Sequence, residues 1–273
     1  FELDSLSYPV NLIGNYVKAT GDTSIFDARV HGELLVVLRT FAAEQDHRTL
    51  STYHRNEQPA KSGIGLIWSA YRPSDDPQIY NYNVPENMFA AVTLRSMADM
   101  LARDFNDRAN AARATQMADR IEAAIREHAL FKTRFGSIYA YEIDGLGHAK
   151  FMDDANVPSL LSMPLLGYPY DRAAYANSRR FILSSADPYY YSGRYAAGVG
   201  SSHTPRGYVW PMSLVVEYLT SPYSSERSRI AGELSRSGAG DGALHESFDV
   251  NDPRRVTRER FGWVNALFEQ TFK

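Results

Sequence analysis

The sequence predicts an all-α fold, a toroid of helical hairpins formed by one domain over residues 1–273. Three observations predict it. Apolar residues recur at helical spacing through most of the chain, long loops of varied composition separate those stretches, and no low-complexity linker divides them. Hairpins in series can also stack as a solenoid, but these loops differ too much from one another for a regular repeat.

The elements follow in order. Leu3, Leu6, Val10, Ile13 and Val17 share one helical face, which Thr20-Gly21 brings to a stop. Phe26, Val30, Leu34, Leu38 and Phe41 form a second stripe, opened by the cap-like Asp22-Thr23-Ser24. Together they predict two antiparallel helices with a tight connection. Further helices are expected from Asn87 to Arg103, Asp107 to His128, Asp171 to Leu183, Val209 to Leu219, Ser224 to Ser235 and from Arg260 onward. A short strand pair is expected around Ser137–Ile143, followed by the turn Asp144-Gly145. The segments 60–86, 131–158, 186–208 and 236–258 are rich in Gly, Pro, Asp and aromatics, and long loops on a helical scaffold usually carry function.

Composition narrows the function classes. With 44% hydrophobic and 22% charged residues the chain can bury a core and is not of the disordered class. The 29 basic and 32 acidic side chains nearly balance, so no field gathers phosphate polymers or anionic lipid, and nucleic acid is not an expected partner. No apolar run approaches the ~18 residues of a membrane span. The absence of cysteine excludes disulfides and thiol chemistry and leaves the compartment open. The histidines at 31, 47, 54, 128, 148, 203 and 245 form no metal-binding motif, so neither metal nor other cofactor is expected. No Gly-X-Ser-X-Gly elbow is present, and Gly63-Ile64-Gly65 lacks a dinucleotide-binding context. Tyrosine, present 18 times, concentrates in loops such as Tyr80–Asn83 and Pro188–Tyr191, where rings with polar tips suit the faces of a sugar.

Acidic residues cluster in the loops beside Trp, Arg, Asn or His. Asp75 and Asp76 follow Trp68 and Arg72, Asp153 and Asp154 precede Asn156, and Glu246 follows His245. Glycoside hydrolysis needs one carboxylic acid to protonate the leaving oxygen and one carboxylate to activate water or attack carbon. The same residues also suit ordinary structural work. Asp75-Asp76 before Pro77 is a turn signal, and Asp154 and Asn156 would cap a helix starting near Pro158. His203 fits either a loop histidine holding carbonyls or a donor to substrate.

Read together, the loop motifs resemble those of the exo-α-1,6-mannosidases of glycoside hydrolase family 125. The blocks are Phe1–Pro9, Trp68–Asp76, Val84–Ala90, Met152–Ser159, Ser202–Pro211 and Leu244–Phe248, in the family's order. The resemblance implies an (α/α)6 toroid with its active site in the loops at one end. It also implies inverting, metal-independent removal of terminal α-1,6-linked mannose from an oligosaccharide, including N-glycan-derived ones. Carried onto this chain, Asp75 is the acid, with Asp76 as the alternative, and Glu246 is the base. Trp68, Tyr208 and Trp210 would offer ring faces, Arg72, Asn156 and His203 would bind hydroxyls, and Asp154 and His245 complete the substrate-binding set. An inverting pair stands about 6.5–9.5 Å apart, with room for a water.

The family pattern begins upstream of Phe1, with hairpins that include a Trp-Leu-Arg-Asp block. The expectation is therefore an N-terminally incomplete barrel, completed by a partner chain or a missing N-terminal segment. Two alternatives are a non-catalytic glycan-binding or structural protein on this barrel, and an α-glucosidase on it. Retention of both carboxylates favours an enzyme.

Overall fold

The computed structural model of the chain describes every residue but Ala239, Asp241 and Lys273. Its helices are α1 (Leu3–Thr20), α2 (Ala28–Gln45), α3 (His47–Leu50), α4 (Val84–Arg103), α5 (Arg108–His128), α6 (Met163–Leu166), α7 (Arg172–Ile182), α8 (Pro211–Thr220), α9 (Ser224–Leu234) and α10 (Gly262–Phe268). Short strands lie among them: β1 (Tyr82–Asn83), β2 (Leu130–Thr133), β3 (Gly136–Tyr139), β4 (Glu142–Ile143), β5 (Ala149–Lys150), β6 (Tyr190–Ser192), β7 (Ala197–Val199), β8 (Tyr208–Val209), β9 (Ser247–Asp249) and β10 (Asp252–Thr257).

The predicted long helices are present, and the chain is mostly helical. It is not purely α, however, because the loops fold into four small sheets, ordered β1-β4-β5, β10-β9-β8, β2-β3 and β6-β7. Loops that cover a helical layer must pair their own N–H and C=O groups, and short ladders do so. The strand pair expected around 137–143 divides accordingly. β3 pairs with β2, while β4 joins β1 and β5. The turn after it is as expected, with Asp144 Oδ1 accepting the N–H groups of Leu146 at 2.8 Å and His148 at 3.0 Å.

Two compact units can be distinguished. The first comprises Phe1–Arg72, Pro77–Leu130 and Ala140–Lys150. Its centre is α4, buried on almost every side, with α1 and α5 packed against it. Asn83 caps α4 by accepting the Glu86 N–H at 3.0 Å, and Pro85 sits in the first turn, where no backbone N–H is needed. α5 turns Ala114, Ala118, Ile121 and Ile125 inward, opens on the Asp107 cap and is amphipathic as its spacing predicts. α1 ends on Gly21, whose φ of 71° is the left-handed value that a glycine C-cap supplies.

α2 departs from expectation in two ways. Its cap is Asp27, which accepts the Val30 N–H at 2.8 Å, while Asp22 closes its own turn on the Ser24 N–H. An Asp-X-Ser step serves either purpose, and the turn takes it here. Nor is the connection tight, since the seven residues 21–27 separate α1 from α2. Both pack on α4, and a groove of about 490 Å³ lined by Val10, Ile13, Val30, Leu34 and Val37 lies between them.

The second unit comprises Pro73–Asp76, Phe131–Tyr139 and Phe151–Lys273. Its central helix is α8, buried from Pro211 through Glu217 and covered by α9 and α10, while α7 packs on β3. In the β8-β9-β10 sheet, Val209 pairs with Phe248 and Ser247 with Thr257. That register places Glu246 immediately before β9.

Asn87 shows why one of the recurring motifs is where it is. Fully buried in α4, it accepts the Ile67 N–H at 2.7 Å and donates to the carbonyls of Ile67 at 3.0 Å and Asn83 at 2.8 Å. It therefore fixes the strandless segment leading to Trp68. Asn87→Leu leaves these backbone groups unpaired, and a loss of about 1–3 kcal/mol for each orphaned group is expected in urea denaturation. An unchanged midpoint would show that the segment repairs its own bonds.

Candidate functional site

The second unit brings together most of the residues singled out from the sequence. Its centre is Asp154, 1% exposed, whose Oδ2 accepts the Ser74 hydroxyl at 2.8 Å and the Ser201 hydroxyl at 3.2 Å. Asn156 donates from Nδ2 to the carbonyl of Pro73. These bonds hold Pro73–Asp76, and Ala155 adds a backbone bond to the Gly200 carbonyl at 3.2 Å. The same fastening positions two neighbouring segments, 73–76 and 200–204.

Asp75 and Asp76 differ in consequence. Asp75 is exposed and has φ +66°, a left-handed conformation that costs a non-glycine residue about 1–2 kcal/mol. Backbone strain of this kind gathers at functional sites. Asp76 is partly buried and engaged, accepting the Ser202 hydroxyl and lying 3.2 Å from His203 Nδ1. The His203 N–H bonds Ser201 Oγ at 3.2 Å, so the imidazole is held from both its ring and its backbone.

Glu246 is 5% exposed. Arg258 Nε lies 3.2 Å from its Oε1, but the pair is not aligned as a hydrogen bond, and that oxygen accepts none among the described residues. His245 directs Nδ1 to the Glu259 carbonyl at 2.7 Å. Ser247 and Thr257 join their hydroxyls at 2.6 Å across the register, keeping the strand carrying Glu246 against β10.

The expected aromatic platforms are placed differently. Trp210, 1% exposed, donates from Nε1 to Thr204 at 2.9 Å and meets Phe261 edge to face at 5.9 Å. Tyr208 is 8% exposed within β8. In the first unit, Trp68 is 2% exposed, with one face stacked on His47 at 3.8 Å. Arg72 is buried there too, its Nε 2.6 Å from Glu142, which also accepts the N–H groups of Ile79 and Tyr80. Trp68, Tyr208 and Trp210 are thus buried among their neighbours, and Arg72 is ion-paired with Glu142.

Asp154 and Asn156 do not cap a helix. No helix starts near Pro158; Asp153 instead accepts the Leu160 and Leu161 N–H groups at 2.8 and 2.9 Å in the turn that precedes α6. Sequence reasoning missed Ser74, Ser201, Ser202 and Asp187. The serines carry no signal beyond standing next to Asp or His inside the motifs. Asp187 accepts the N–H groups of Asp153 at 2.7 Å and Tyr189 at 2.8 Å. Burial pushes Asp187 up to about 7, helped by the nearby Asp154 charge, and raises Asp153 well above the usual carboxylate range.

With this geometry in view, the chain falls within the glycoside hydrolases. The family model of metal-independent α-mannosidases, glycoside hydrolase family 125, matches residues 1–272, and the chain belongs to that family. A Streptococcus pneumoniae metal-independent α-mannosidase, solved as a non-productive substrate complex with α-1,6-mannobiose, is 39% identical with a TM-score of 0.92, over 99% of this chain and 68% of its own. The meiotically up-regulated gene 157 protein of Schizosaccharomyces pombe is 38% identical over 297 residues, 99% of this chain. The chain spans 58% of the length of that fission yeast relative. No helix among the described residues is long and apolar enough to cross a membrane.

The Asp187 environment sets a pH dependence. Its folded value of about 7 lies above the ordinary 3.8, so the folded state holds the proton more tightly. The corresponding stabilisation is complete below about pH 4 and is lost as the pH rises through about 7. Glu217, pushed to about 8 by burial, acts in the same direction and is unaffected by change at Asp187. Asp187→Asn should therefore gain stability relative to the native chain between pH 5 and pH 8 in denaturant titrations. Parallel pH profiles for the two proteins would contradict this.

Proposed function

We propose that this chain carries both catalytic carboxylates of an inverting exo-α-1,6-mannosidase, and that it is the greater part of an (α/α)6 barrel whose remaining hairpins are supplied upstream or by a partner chain. The observation that carries the reading is the Asp154 fastening, which holds the Asp75-Asp76 step beside His203 while leaving Asp75 exposed. Family membership supports mannose as the sugar over glucose, and hydrolysis over a purely binding role. The mannobiose complex of the streptococcal relative supports the α-1,6 linkage. An N-glycan-derived oligosaccharide is the corresponding substrate class.

In this mechanism Asp75 gives its proton to the glycosidic oxygen as the bond to the anomeric carbon breaks. Glu246 takes a proton from a water that attacks the same carbon from the opposite face, so an α-linked mannose leaves as the β-anomer. Oε1 of Glu246, which accepts no hydrogen bond among the described residues and lies 3.2 Å from Arg258 Nε, is the oxygen that receives it. Asp76 and the Ser201 hydroxyl orient His203 toward a sugar hydroxyl. Asp154 and Asn156 act by holding the backbone of the acid. Trp68, Arg72, Tyr208 and Trp210 brace the scaffold, and His245 fixes the approach to Glu246.

The test uses the complete natural protein with α-1,6-mannobiose followed by proton NMR. β-Mannose should appear first, and Glu246→Gln should lower kcat by about 10²–10⁴. Asp75→Asn should lose as much on mannobiose but far less on a dinitrophenyl α-mannoside, whose leaving group needs no proton. First-formed α-mannose contradicts inversion. An Asp75→Asn variant with full activity on mannobiose contradicts the acid assignment and transfers it to Asp76.

A further inference from the structure

His47, His54 and Glu57 stand seven and three residues apart in sequence, a spacing that matches no metal motif, yet the fold of the first unit focuses them on one point. Glu57 Oε1 lies 2.8 Å from His47 Nε2 and 2.8 Å from His54 Nδ1, and the three ligand atoms are all within 4.8 Å of one another. Behind His47, Glu44 Oε2 is 2.5 Å from Nδ1, and the other Glu44 oxygen accepts the Ser51 hydroxyl at 2.7 Å. From this geometry we infer that the cluster is a binding site for a divalent transition-metal ion of the zinc type, with His47, His54 and Glu57 as protein ligands.

Glu44 stands behind His47: with Oε2 on Nδ1, the ring is turned so that Nε2 points at Glu57 and at the focus of the cluster. Carboxylate behind imidazole is also the arrangement that orients metal-bound histidines and raises their basicity. His47 is buried and stacked on Trp68 at 3.8 Å, so the innermost ligand is rigid.

The outer two ligands have room to adjust. Their side chains are 61% and 43% exposed, on a segment without regular secondary structure. Metal–nitrogen and metal–oxygen bonds of about 2.0–2.2 Å need ligand atoms roughly 3.3 Å apart in a tetrahedron. The two contacts to Glu57 need open by only about half an ångström to reach that separation, and the two histidine nitrogens, within 4.8 Å of each other, adjust toward it. A cavity of about 370 Å³ bordered by His47, Glu57 and Trp68 leaves space for a water at the fourth position. Two imidazoles and one carboxylate select zinc, nickel or copper over magnesium or calcium, which prefer all-oxygen sets.

The ion would tie the segment carrying His54 and Glu57 to α3 and, through Glu44, to α2. It lies outside the proposed mechanism, so hydrolysis remains metal-independent. The test is isothermal titration of the chelator-treated natural protein with zinc, alongside thermal unfolding with zinc or magnesium and the exposed-site variants His54→Ala and Glu57→Gln. Saturable zinc binding, weakened at least tenfold in both variants, with a rise in Tm that magnesium does not reproduce and mannosidase activity unchanged, is the expected result. Zinc binding that both variants retain in full, or no saturable binding, overturns the site.

Discussion

A single buried carboxylate organises the second unit. Asp154 is withdrawn from water, and a charge in that position persists only when its oxygens are met by donors. Ser74 and Ser201 meet it, from segments that lie far apart in sequence. Satisfying that carboxylate fixes Ser74, and with it Asp75 and Asp76; it also fixes Ser201, and with it Ser202 and His203. Asn156 adds a grip on the Pro73 carbonyl. The protonation pattern around it is consistent with this role. Burial raises both Asp153 and Asp187, which limits the negative charge crowded near Asp154.

The two carboxylates assigned to chemistry occupy different settings. Asp75 is exposed on a strained backbone, held through its neighbours and not through its own side chain. Glu246 is buried immediately before a strand whose register is pinned by Ser247 and Thr257. A proton donor must meet a leaving group that comes and goes, whereas a base must hold one water at a defined place. In the proposed mechanism the exposed Asp75 would take the first of these tasks and the buried Glu246 the second.

Helix ends were the most legible part of the sequence. Gly21, Asp107 and Asp171 stop or start helices where their chemistry says they should, and the apolar stripes of α4, α5 and α8 face inward. Asp27 was not legible as a cap, because Asp22-Thr23-Ser24 offers an equal local signal and only tertiary packing decides between them. Apart from those near 137–143, the short strands were illegible for the same reason, since ladders this short are set by partners distant in sequence. At the site, residue types marked Asp154, Asn156, His203 and Glu246, but no pattern announced that Ser74 and Ser201 share one oxygen. The tryptophans' packing was not legible either: Trp68 stacks on His47, and Trp210 meets Phe261 in a T-shaped contact.

The account turns on Asp75 and Glu246 flanking one sugar. The most direct measurement is a crystal structure of the complete natural protein, as Glu246→Gln, with intact α-1,6-mannobiose bound. The account predicts the glycosidic oxygen within hydrogen-bond reach of Asp75 and a water between residue 246 and the anomeric carbon. It also predicts that the two side-chain carbonyl carbons stand about 6.5–9.5 Å apart. A disaccharide bound with Asp75 remote from the scissile oxygen, or a separation of about 5 Å with no room for water, would contradict it.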